Sequence, residues 1–172
     1  MTDPVDVLAG VLTVSDAGSQ GLRADGSGDL AAEILERLPA RVVWRRTVPD
    51  EAAAVTEAVL DGCRSLALLV TTGGTGLGPR DRTPEAVHPL LDYEVPGMAE
   101  AMRARGLLST PHAMLSRQIV GVRGGCLVLV LPGSPRAVAE SLDAVLPAIP
   151  HALRLLAGAT AHAGMVTAAV PG

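Results

Sequence analysis

Residues 71–86 read TTGGTGLGPRDRTPEA, placing Gly73, Gly74, Gly76 and Gly78 directly after an apolar run and just ahead of Asp81. Glycine has no Cβ, so the backbone N–H groups of such a loop can turn towards an anion at distances a side chain would block. Asp81 adds a hard oxygen that could hold a magnesium ion against phosphate oxygens. The segment therefore predicts a phosphate cradle, with Gly73, Gly74, Thr75 and Gly76 as its binding stretch and a carboxylate at its rim. It has neither the lysine of a P-loop nor the GxGxxG spacing of a dinucleotide fold, so it is an anion nest of another kind. Arg80, close to the glycines, is placed to assist phosphates. An isolated Asp81 would be read as a cap for the helix starting at Thr83, but the glycine context favours a direct role. Asp50, in Pro49-Asp50-Glu51, reads two ways: as the N-cap of an alanine-rich helix and as a second functional carboxylate.

Strands and helices must carry these residues. Val5 to Ser15 is an apolar run short enough for a buried strand, followed by loop chemistry. Leu30, Ile34, Leu35 and Leu38 recur at helical spacing behind Ser27 and Asp29, either of which could cap, and Pro39 ends the helix. Arg41 to Val48 predicts a second strand and Ala53 to Cys63 a helix with Asp50 at its start. Leu66 to Thr72, apolar on both alternating faces, reads as a central parallel strand covered on both sides. Thr83, Pro84 and Glu85 open another helix, with Thr83 as the capping hydroxyl. Short helices are expected over Met98 to Arg105 and Pro111 to Arg117. Gln118 to Arg123 should pair with Cys126 to Leu131 as a hairpin through Gly124 and Gly125. Ser134 and Pro135 open a helix through about Val145, and a last helix follows Pro147. The Ala/Gly-rich stretch from about 158 reads as a loosely ordered tail on a single domain spanning 1–172. The alternation predicts an α/β fold, a three-layer α/β/α sandwich with a mostly parallel central sheet and a small β-hairpin. Ligands then gather beyond the C-terminal ends of the strands.

Composition narrows the function classes. The chain of 172 residues has no Phe, one Trp and one Tyr, which argues against single-stranded nucleic acid binding by base stacking. A net charge of −4 provides no general attraction to a phosphate backbone or an anionic membrane. Neither a leader nor an apolar span of membrane length is apparent, so a cytoplasmic protein without nucleic-acid or membrane partners is the expectation. Cys63 and Cys126 lie in apolar neighbourhoods without metal-ligand spacing and read as core thiols. The four histidines are scattered, with no pairing that predicts zinc.

With these residues in hand, the chain resembles the molybdopterin adenylyltransferase family of the Mog/MoaB type, to which the gephyrin G domain is also similar. The resemblance rests on seven ordered blocks: Thr13-Val14-Ser15-Asp16, Ser27-Gly28, Pro49-Asp50-Glu51, the glycine block through Pro84, Glu94-Val95-Pro96-Gly97, Leu115-Ser116-Arg117, and Leu131-Pro132-Gly133-Ser134-Pro135. It implies magnesium-dependent adenylylation of molybdopterin by ATP, giving adenylyl-molybdopterin and pyrophosphate. It also implies a homo-oligomer, a trimer first, and a downstream molybdenum-insertion protein as partner. By resemblance, Asp50 and Asp81 are catalytic and magnesium-binding. Ser15, Asp16, Arg80, Ser116, Arg117, Pro132, Gly133 and Ser134 join the glycine loop in binding substrate. Without the resemblance, Ser15 and Asp16 equally suit a strand end and turn, and Pro132 to Ser134 a helix start whose free N–H groups could receive phosphate.

Two departures stand out. Ala17 follows Ser-Asp where the family often has arginine, and Asp29 stands where proline commonly follows Ser-Gly. Ala17 is the best support for a rival reading, a non-catalytic molybdopterin carrier of the same pathway. A related-fold nucleotide diphosphate hydrolase is the second rival.

Overall fold

Branched and aliphatic side chains at alternating positions make the strands, and in the computed structural model, which describes residues 7–158, they assemble one sheet. Its strands are β1 (Val7–Val14), β2 (Ala40–Val48), β3 (Leu68–Thr72), β4 (Tyr93–Glu94), β5 (Ile119–Arg123) and β6 (Cys126–Leu131), in the order β2-β1-β3-β6-β5-β4. The first four in that order run parallel; β5 and β4 are antiparallel additions at one edge. The expected tail beyond 158 lies outside the described residues.

Seven helices cover the sheet among the described residues: α1 (Asp16–Ser19), α2 (Gly26–Leu35), α3 (Ala52–Gly62), α4 (Thr83–Val87), α5 (Pro96–Leu107), α6 (Pro135–Val145) and α7 (Ile149–Leu156). Alternation sorts β3 residue by residue: Leu68 and Val70 join one core with Ile34, Met102, Leu142 and Ile149, while Leu69 joins the other with Val55, Val59 and Val87. Thus α2, α5, α6 and α7 cover one face and α3 and α4 the other, giving the expected three layers. Leu68, Leu69 and Val70 have no exposed surface, as a strand buried on both faces requires.

The predicted hairpin is present, with Arg123 opposite Cys126 and both Gly124 (φ +55°) and Gly125 (φ +88°) in the left-handed region that a tight primed turn demands. Pro111–Leu115 is a single 3₁₀ stretch instead of an α-helix. The two-residue strand β4 is absent from the sequence expectation because its partner β5 is remote in sequence, and the four-residue α1 because its Asp, Gly and Ser have the composition of a loop.

Three caps differ from expectation. Asp25, and neither Ser27 nor Asp29, caps α2 by accepting from the Gly28 N–H. Glu51 precedes α3 without a side-chain cap, so Asp50 does not fill that position. Thr83 is the first residue of α4, and its hydroxyl is buried without a partner instead of capping.

Candidate functional site

From β1 the chain passes to β2 on one side and then returns to β3 on the other, so the crossovers diverge between β1 and β3. Such a switch point leaves a crevice at the C-terminal strand ends. A cleft of about 480 Å³ opens there, lined by the ends of β1 and the loops after β2, β3 and β6, including Thr13, Ser15, Asp50, Gly73, Gly74, Gly133 and Ser134. The first residues of α2 and α6 border it as well. Helix N-termini present first-turn N–H groups without intrahelical partners and a positive dipole end, so this wall favours an anion.

The floor is glycine by necessity. Gly73 has φ +101°, and a Cβ there would stand 2.2 Å from the Val14 carbonyl oxygen. Gly74 has φ +67°, and a Cβ there would meet the Thr83 hydroxyl at 2.2 Å. Gly73 donates its N–H to the Leu131 carbonyl at 3.1 Å, and Gly133 approaches so closely that its Cβ would lie 3.2 Å from the Gly73 Cα. The loops after β3 and β6 therefore meet backbone to backbone.

Asp16 and Asp50 brace each other across the ends of β1 and β2. Asp16 donates its N–H to Asp50 Oδ2 at 2.8 Å, and Asp50 returns its own N–H to Asp16 Oδ1 at 3.0 Å. Arg80 grips both oxygens of Asp16, through Nε at 2.6 Å and Nη2 at 2.8 Å. That contact holds the Asp16 carboxyl below its ordinary range, with the Asp50 N–H adding to it. Burial has the opposite effect on Asp50, pushing its carboxyl up, and the negative charges of Asp16 and Asp81 add to the rise. Asp50 Oδ1 accepts no hydrogen bond among the described residues and faces Gly74, whose Cβ would stand 3.5 Å from it.

Of the residues singled out from sequence, Ser15, Asp50, Gly73, Gly74, Gly133 and Ser134 line the cleft. Ser15 and Ser134 are also N-caps, accepting from the N–H groups of Gly18 at 3.1 Å and Ala137 at 3.2 Å. Asp16 and Arg80, not themselves lining the cleft, form a partly exposed ion pair that adjoins Asp50. Pro132 links β6 to Gly133.

The remaining residues assemble on the outer side of the glycine loop. Asp81 turns its carboxylate back to accept from the Gly78 N–H at 2.8 Å, so it does not share the cleft lining with Asp50. Arg117 donates to the loop's carbonyls: its backbone N–H to Thr75 O at 2.9 Å, Nε to Gly76 O at 3.0 Å and Nη2 to Asp81 O at 2.6 Å. Its Nη1 pairs with Glu85, and the Ser116 hydroxyl lies 3.4 Å from that of Thr75. Among the described residues no cluster of three or more His, Cys, Asp or Glu is arranged to hold a metal.

Sequence reasoning passed over Arg23 and Asp25, both of which line the cleft. Arg23, exposed, is the only arginine or lysine among the lining residues. Asp25 accepts from the Thr13 hydroxyl at 2.7 Å and the Gly28 N–H at 2.9 Å, while Arg45 reaches it at 3.2 Å and Asp29 at 2.7 Å. The small-residue run Asp25-Gly26-Ser27-Gly28, an acid before residues that permit close approach, was the available signal. Asp25→Ala removes a helix cap and orphans the buried Thr13 hydroxyl. A loss of about 2–3 kcal/mol in urea unfolding is expected, with Asp25→Asn, which keeps an acceptor for the cap, losing less.

A family model described as "Probable molybdopterin binding domain" matches residues 10–151. Gephyrin of Dictyostelium discoideum is 41% identical over 160 residues, covering 87% of this chain and 22% of that protein, so the chain spans about a fifth of it. Molybdopterin adenylyltransferase of Helicobacter pylori is 39% identical over 153 residues, covering 87% of each. Among solved structures, the molybdopterin biosynthesis enzyme MoaB of Thermus thermophilus matches with a TM-score of 0.83 and 50% identity, over 88% of this chain and 97% of that one.

Proposed function

The chain belongs to the molybdopterin-binding domain family, and on that footing we propose that it is a molybdopterin adenylyltransferase of molybdenum cofactor biosynthesis, using ATP and magnesium and releasing pyrophosphate. The observation that carries this reading is the cleft at the switch point, where left-handed glycines, two helix N-termini and the half-buried Asp50 meet.

The residues divide the work physically. Gly73 and Gly74 bring backbone close to a phosphate, and the starts of α2 and α6 complement its charge. Exposed Arg23, which lines the same cleft, supplies a cation for an anionic group. Asp16, locked by Arg80, keeps Asp50 in place by receiving its N–H. No protein nucleophile is required, because positioning and charge stabilisation are the main resources for phosphoryl chemistry.

The acids suit magnesium, which takes one or two carboxylates together with substrate phosphates and retains several waters. Asp50 offers its free Oδ1, and burial of this carboxyl is relieved by a cation; Asp81, its carboxylate turned back to the Gly78 N–H outside the cleft lining, acts there through its negative charge, which adds to the rise of Asp50. Bound there, magnesium would neutralise charge developing on the phosphate oxygens. Exposed Leu107, Leu108, Met114 and Leu115 support self-association as part of the same reading. No described helix is long and apolar enough to cross a membrane.

Incubation of the purified chain with molybdopterin, ATP and magnesium tests the proposal. Stoichiometric pyrophosphate release dependent on molybdopterin is the expected result. Tight molybdopterin binding without pyrophosphate would make the protein a carrier instead.

A further inference from the structure

Cys63 and Cys126, far apart in sequence, are brought together at the end of the sheet opposite the cleft. Cys63 follows the last residue of α3, and Cys126 is the first residue of β6. Both belong to the core between the sheet and α3, Cys126 as a buried member and Cys63 as a partly buried one packed against it. Cys126 is buried, whereas Cys63 is partly exposed and lines a groove of about 400 Å³ with Leu60, Arg64, Asp92, Arg123 and Gly124. Arg123 is held at the groove by donating to the Leu90 carbonyl at 2.7 Å, and Asp92 accepts from Gly124 at 2.7 Å. Since Arg123 lies opposite Cys126 in the hairpin, the exposed thiol, its buried neighbour and a fixed cation occupy one small region.

We propose that Cys63 is an oxidative modification site, reacting with hydroperoxides entering this groove, and that Cys126 is its resolving thiol. The environment divides the two roles. The Cys126 thiol beside it lowers the Cys63 pKa, and the charge of Arg123 acts in the same direction against burial and Asp92. The same contact and burial push Cys126 up, so it retains its proton. A thiolate is the reactive form, and accessible thiolates near cations are the oxidant-sensitive ones.

In the first step the Cys63 thiolate attacks one peroxide oxygen. The O–O bond breaks, an S–O bond forms, and the leaving alkoxide or hydroxide takes a proton as alcohol or water. In the second step the Cys126 sulfur attacks the Cys63 sulfur. The S–O bond breaks and the hydroxyl departs as water with the Cys126 proton, leaving an S–S bond. Two thiols are oxidised by two electrons in total and one hydroperoxide is reduced.

Hydrogen peroxide and thiol-resolved mass spectrometry on the full chain test this, independently of whether the cleft transfers adenylyl groups. The wild-type chain is expected to lose both thiols together, becoming two hydrogens lighter and reverting with reductant. The bridge should form at least about tenfold faster in the folded than in the urea-unfolded chain. Cys126→Ala should stop at a Cys63 sulfenic acid trapped by dimedone, and Cys63→Ser should leave Cys126 unmodified. Equal rates in folded and unfolded wild type, a bridge only between chains, or faster oxidation of Cys126 in Cys63→Ser would each overturn the proposal. The wild-type rate comparison decides even where a variant does not fold.

Discussion

Gly73→Ala will lose about 3–5 kcal/mol of stability in urea unfolding and will abolish pyrophosphate release. Two costs combine. At φ +101° a side chain is strained whatever space surrounds it. The new methyl would also stand 2.2 Å from the Val14 carbonyl oxygen, which is backbone of the central β1 and cannot rotate aside as a side chain could. Relief requires the glycine loop to part from β1, opening the cleft floor. Gly97→Ala is the matched control: it lies in the first turn of α5, has ordinary φ, and an added Cβ meets nothing within 4 Å. There the substitution should be neutral or stabilise by up to about 1 kcal/mol, through reduced freedom of the unfolded chain. Parallel unfolding curves of both variants separate a site-specific clash from any general intolerance of alanine.

Asp50→Asn will lower the rate of pyrophosphate release by about 10²–10³-fold, the scale of losing one charge-stabilising group in a preorganised site. Stability should move the other way. Burial raises the folded pKa of Asp50 above its ordinary 3.8, so the folded state binds more protons than the unfolded state between those two values. Its contribution to stability therefore falls as pH rises through that window and stays lower above it. Asparagine has no charge to desolvate and keeps an oxygen to accept from Asp16. At neutral pH the variant should thus melt at or above the wild-type temperature, and the difference should vanish as pH falls below the ordinary aspartate range. Asp50→Ala, which also orphans the Asp16 N–H, should melt below both. Full activity with Asn at position 50 would remove Asp50 from the mechanism.

These two residues also mark the limits of reading the sequence. The glycine loop was legible because its signal is local: four glycines after an apolar strand need no partner to be recognised. The layered α/β order was likewise written in the alternation of apolar runs and helical spacing. Asp50 was harder, because Pro49-Asp50-Glu51 has the local form of a helix cap. Its actual partner is the N–H of Asp16, 34 positions upstream. Asp25 escaped for the same reason, since Thr13 and Arg45 meet it only after β1 and β2 pair. Arg117 is a substrate contact by the family resemblance; its guanidinium and N–H are engaged in the fold with Thr75, Gly76, Asp81 and Glu85. A spacing in sequence cannot reveal such saturation, because it depends on which carbonyls the loop turns outward.

The backbone contact between Gly73 and Gly133 has a consequence for selectivity. With no side chain between them and the Gly73 N–H tied to Leu131, the two loops form one stiff floor. Exposed Arg23 and Ala24 line the same cleft. A ligand analogue enlarged on its floor-facing side meets main chain that has nowhere to retreat and is rejected sharply. One enlarged towards Arg23 and Ala24 meets exposed side chains that can rearrange and is tolerated. The pocket discriminates by shape on one side and adapts on the other.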